Sequence, residues 1–135
     1  MKLIYPACFY PDDEEKNFYT VIFPDLPGAV TEGRTLATAI EMAVDCACGW
    51  ILSAIEDNEI IPEPSPADAI KPNEYENGFV NFILLDIDAY AEKYGSKAVR
   101  KNCTIPAWLN TAAENANLNF SQILQNALLE KLHLN

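Results

Sequence analysis

KAVRKNCTIPAWLN, residues 97–110, carries two structural periods on either side of one proline. Before Pro106 the side chains alternate: Val99, Cys103 and Ile105 fall on one side, Arg100, Asn102 and Thr104 on the other. That alternation predicts a strand with two unlike faces. After Pro106, taken as the first helical residue, the period is helical, with Trp108, Leu109, Ala112, Ala113 and Ala116 on one apolar stripe. Asn117 suits the left-handed position that closes a helix. A second helix is predicted from Asn119 as N-cap, with Gln122 three residues on as in a capping box. Phe120, Ile123, Leu124, Ala127, Leu128 and Leu132 line its buried face.

A strand-helix-helix segment of under forty residues is too small to bury a core of its own, and its strand has no partner nearby. Two copies pairing strand to strand and interlocking their helices remove both defects, so a dimer is expected. Arg100, Asn102 and Thr104 then form an outward row on a two-stranded ribbon, a shape the DNA major groove admits. Arg pairs with guanine, Asn with adenine, and Thr with either a polar edge or a thymine methyl. Lys97 and Lys101 are placed to reach phosphates. The start of the second helix, at Asn119 and Ser121, offers backbone N–H groups for another phosphate. The competing reading is an exposed polar strand face without a ligand.

Charge divides the chain in the same place. Its 135 residues carry a net charge of -11, yet residues 97–135 hold four cations against two carboxylates. The first 96 residues therefore carry five cations and eighteen carboxylates, a net -13. Such a front repels nucleic acid and attracts a basic protein. Half of the residues are hydrophobic, which predicts a globular chain. No apolar run approaches the ~18 residues of a membrane span, so a cytoplasmic protein without membrane contact is expected. The four cysteines lack CxxC spacing and the one histidine is near the C-terminus. They are read as small buried packing residues, with no metal or cofactor.

In the front part, residues 2–10 and 17–24 are aromatic and β-branched, a hairpin around the acidic run Asp12-Asp13-Glu14-Glu15. A third short strand is predicted near 29–32. From Thr35 to Glu56 the period becomes helical through Leu36, Ile40, Ala43, Ala47, Ile51 and Ala54. A proline-rich surface connection over 60–78 follows. FVNFILLDI, residues 79–87, is so continuously apolar that a central strand covered on both faces is expected. One or two helical turns then precede a linker at Gly95-Ser96. The order β-β-β-α-β describes a small α+β domain with a helix on a sheet.

VRKNCTIPAWL…NLNFSQILQNALLEKL resembles the ribbon-helix-helix DNA-binding module over residues 97–132, with Asn117 where a glycine is usual. FPDLPGAVTEGRTLATAIEMA, residues 23–43, is similar to the signature region of the HicB family of antitoxins. The resemblance implies a partial RNase H-like, toxin-binding domain over residues 1–94 and a ribbon-helix-helix dimerisation and DNA-binding domain over 95–135. It implies a partner, a small basic HicA-like toxin that cleaves mRNA, together with repression of the operon by operator binding, as a homodimer or tetramer. A ligand-responsive ribbon-helix-helix repressor without a toxin partner is the alternative.

Of three further signals in the front part, the first has two readings. The acidic run is a toxin contact or a solvated hairpin tip. Asp25 braces the turn completed by Pro27-Gly28. Gly28 and Gly33 occupy turn positions with unusual dihedrals, since no phosphate-loop pattern surrounds them. Catalysis is not expected: RNase H-type chemistry needs converging carboxylates, and the first strand has none.

Overall fold

The computed structural model describes residues 1–73 and 76–134, and the chain divides into two compact units, Met1–Ser96 and Lys97–Asn135. The first unit contains strands β1 (Lys2–Pro11), β2 (Tyr19–Ile22) and β3 (Val30–Gly33), helix α1 (Leu36–Glu56), strand β4 (Phe79–Asp86) and helix α2 (Ile87–Tyr94). The strands form one antiparallel sheet in the order β3-β2-β1-β4.

Alternation along β1 sends Tyr5, Ala7 and Phe9 to the side where α1 packs, joined by Val21, Ile83 and Leu85. The facing stripe of α1 is Ala39, Ala43, Ala47, Cys48, Ile51 and Ala54, all buried. The expected stripe is right in period but begins at Ala39, since Leu36 is exposed. A stripe so rich in alanine lets the helix lie close to the sheet. Thr35 caps it, its Oγ1 accepting from the Thr38 N–H at 3.0 Å. α1 is long and apolar enough to cross a membrane, and its buried stripe packs on the sheet as the core helix of the unit.

The expected place of β4 is wrong. Among the described residues it pairs only with β1, at the edge of the sheet, and its residues alternate: Ile83 and Leu85 are buried while Phe82 and Leu84 are exposed. Its unbroken apolar run therefore reflects two apolar faces of which α1 covers one.

The loop joining β2 to β3 explains much of the signature region. Phe23 and Leu26 are buried, and the loop bonds to itself through Phe23 N–H to Ala29 C=O at 3.1 Å and Ala29 N–H to Leu26 C=O at 3.0 Å. Gly28 sits at φ 82°, as expected. Gly33 does not have positive φ; its requirement is steric. A Cβ there would lie 2.3 Å from the Ala39 backbone nitrogen, because the first turn of α1 folds back over β3. Asp25 braces a different element from the one expected. Its carboxylate accepts from the Ser65 N–H at 2.9 Å and from the Ser65 hydroxyl, tying down the proline-rich connection. Trp50 on α1 donates from Nε1 to the Pro27 carbonyl at 3.1 Å.

That connection is pinned at two further points, by the Tyr5 hydroxyl donating to the Pro62 carbonyl and the Asn73 N–H donating to the Tyr10 hydroxyl at 3.2 Å. Residues 74 and 75 of the expected connection lie outside the described residues. Of the cysteines, Cys8 and Cys48 are buried as expected and Cys46 is half-buried. Burial, then the Asp45 and Asp86 charges, push the Cys48 thiol up to about 11, so it stays protonated and inert at neutral pH. Cys103 is exposed in the single chain.

The second unit contains helices α3 (Ala107–Asn115) and α4 (Phe120–Lys131). The predicted strand over 97–105 is not formed within the chain; residues 95–106 carry neither ladder nor helix. A strand exists by its hydrogen-bonded neighbour, and the described residues supply none. Pro106, at φ -58° and ψ 140°, is the N-cap of α3 rather than its first helical residue.

Candidate nucleic-acid interface

The second unit is built from two helices whose ends follow from sequence. α3 closes with Asn117 at φ 55°, the Asn117 N–H donating to Glu114 at 3.0 Å and the Leu118 N–H to Ala113 at 3.1 Å. These paired bonds form a Schellman closure with asparagine in the position glycine usually takes. Asn119 then caps α4, its Oδ1 accepting from the Gln122 N–H at 3.0 Å. Only half of the expected capping box forms, because the Gln122 side chain turns away to Asn126, donating at 2.9 Å.

What these helices do not do is bury anything. Among the described residues of this unit none is buried, and the apolar stripes read from the sequence lie open. Trp108 is 73% exposed, Leu132 63% and Val99 84%. Phe120, Ile123, Leu124 and Leu128 are exposed on α4. Helices with a coherent apolar face and no core of their own are parts of a larger packing unit.

The seven residues expected to meet DNA fall in two groups separated by α3. Lys97, Arg100, Lys101, Asn102 and Thr104 lie exposed on the single extended segment ahead of it. Asn119 and Ser121 lie at the N-terminus of α4, also exposed. Asn119 spends its side-chain oxygen on the cap, and the Ser121 hydroxyl accepts from Gln125 Nε2 at 3.2 Å. Three of the four cations in this unit stand within five residues on the extended segment. The α4 macrodipole adds partial positive charge at Asn119 and Ser121. Both groups therefore present positive potential, while the other 96 residues carry -13.

Residues 5–127 match the family described as HicB_like antitoxin of bacterial toxin-antitoxin system. A 14.9 kDa uncharacterised protein from the rep-hol intergenic region of Haemophilus phage HP1 is 31% identical over 108 residues, covering 79% of this chain and 76% of the phage protein. The antitoxin HicB of Escherichia coli K12 is 42% identical over 65 residues, which is 48% of this chain and 46% of that antitoxin. This chain thus matches less than half the length of the named antitoxin.

Among solved structures, a toxin-antitoxin complex from Streptococcus pneumoniae aligns over 97% of this chain and 99% of its own, with 26% identity and a TM-score of 0.61. The Burkholderia pseudomallei antitoxin HicB aligns over 97% of both chains, with 25% identity and a TM-score of 0.54. The signature loop, the four-stranded antiparallel sheet under α1 and the family match over nearly the whole length agree: this chain belongs to the HicB-like antitoxin family.

Proposed function

We infer that this chain is an antitoxin with two binding surfaces and no catalytic one. Residues 1–94 are a partial RNase H-like domain that covers a small, basic, HicA-like toxin and keeps mRNA out of its active site. Residues 95–135 are a ribbon-helix-helix module. Two copies pair their 97–105 segments into a ribbon, and the exposed faces of α3 and α4 pack around each other. The ribbon enters the operator's major groove and represses the operon in the cytoplasm. The assembly is a homodimer through this module, or a tetramer of two such modules.

The observation that carries this reading is the second unit itself: two helices joined by a left-handed closure at Asn117 and an asparagine cap at Asn119, with no buried residue and no strand beside the alternating segment among the described residues. Pairing supplies the missing neighbour and core together. Arg100, Asn102 and Thr104 then project outward as base readers, with Lys97, Lys101 and the α4 N-terminus at Asn119 and Ser121 on phosphates. The acidic front supports a cationic partner, since complementary charge speeds encounter and rejects nucleic acid.

Arg100→Ala tests the readout. Its operator affinity is expected to fall by ~1–3 kcal/mol, with discrimination relaxed at one base position. Lys101→Ala is expected to weaken all sequences alike and to lower the salt dependence. Equal binding of wild type and Arg100→Ala to operator and scrambled DNA would remove the ribbon from the interface.

A further inference from the structure

We propose that the sheet face turned away from α1 is the seat of the cationic protein partner, an inference that rests on the antitoxin reading and names the surface it uses. The strand registers put Ile4 beside Leu84, Pro6 beside Phe82, and Val30 beside Ile22, which in turn faces Cys8. These residues make one apolar strip across all four strands. Pro6 and Cys8 are buried within it, but Ile4 is 52% exposed, Phe82 46%, Leu84 56% and Val30 55%. The α1 side of the same strands is buried almost completely. A contiguous apolar strip on a sheet face marks an interaction site, where scattered exposed residues would not. It also accounts for the two-sided apolar run of β4.

Charge selects the occupant. At the hairpin end of this face, Tyr10, Asp12, Asp13, Thr20, Ile22 and Glu76 line a cleft of about 270 Å³, and Glu32 stands beside Thr20. The Asp12 carboxylate is committed to the turn, accepting from the N–H groups of Glu14 at 3.0 Å and Glu15 at 2.7 Å. Asp13 and Glu32 carry charge at the strip's margin. A second copy seated here would bring one -13 domain against another. A protein with an apolar ridge flanked by Lys or Arg meets both the strip and the acids.

The test uses the full chain and a purified small basic HicA-like protein, by calorimetry and stopped-flow. Phe82→Gln/Leu84→Gln is compared with Ile60→Gln, a substitution of an exposed residue of the connection. The expected result is an affinity loss of about tenfold or more for the double variant and about twofold or less for the control. Asp13→Asn/Glu32→Gln is expected to slow association several-fold at low salt and little at high salt. Unchanged affinity in the double variant overturns this surface and leaves the antitoxin reading standing. Unchanged affinity with a smaller assembly by sedimentation also overturns it, and assigns the strip to a second copy. If the wild-type chain does not bind the basic protein at all, the antitoxin reading falls and this surface with it.

Discussion

Leu128→Asp is expected to convert the chain to a form that no longer dimerises through its second unit and to abolish operator binding at micromolar concentrations. Leu128 lies on the apolar face of α4 and is exposed in the single chain, so the substitution costs little there. In the proposed paired unit the same position would be core. Losing a buried leucine costs about 2–5 kcal/mol. Burying an unpaired carboxylate costs several more, and the symmetry of the dimer counts the defect twice. Sedimentation equilibrium and operator titration read the effect directly, while thermal unfolding of the first unit is expected to stay unchanged. A Leu128→Asp chain that still dimerised and bound operator would show that α4 does not form the interface.

Gly33→Ala is expected to be the most damaging single methyl in the first unit. The added Cβ would meet the Ala39 nitrogen at 2.3 Å, the Ala39 Cα at 2.5 Å and the Thr38 carbonyl carbon at 2.8 Å. All three are backbone atoms of the first turn of α1, so relief requires moving the helix off β3 rather than turning a side chain. Overpacking of this kind costs typically 1–3 kcal/mol and occasionally more. At roughly 3 kcal/mol the midpoint of thermal unfolding should fall by about 15 °C. Gly28→Ala is the informative contrast. There φ is 82° but nothing lies within 4 Å of the added carbon, so only dihedral strain of about 1 kcal/mol is expected. Equal losses at the two positions would show that close approach is not what Gly33 provides.

The two glycines illustrate what sequence does and does not carry. Periodicity and turn chemistry located β1, β2, β3, α1 and the helices of the second unit, because those signals are local. The left-handed closure at Asn117 and the cap at Asn119 were legible for the same reason. Gly33 was singled out correctly for the wrong cause, since its neighbour is the helix that follows, not its own dihedral. Asp25 meets Ser65 across forty residues, and Trp50 meets Pro27 across more than twenty, pairings that no local pattern announces. The apolar run of β4 could not disclose that, among the described residues, one of its faces is buried and the other exposed. Residues 97–105 show the same effect: alternation is visible in sequence, but a ladder needs a second strand. Cys103, Val99 and Ile105 are exposed in the single chain for that reason.

The division of labour between the two units is the centre of this account, and one paired assay addresses it most directly. A HicA-like toxin is induced together with either the full chain or a chain ending at Ser96, in cells carrying a reporter under the promoter upstream of this gene. Growth and reporter output are read from the same culture. Both chains are expected to relieve growth arrest, and only the full chain to repress the reporter. A Ser96-terminated chain that still repressed, or that failed to protect while remaining folded, would contradict the assignment of toxin and operator to separate units.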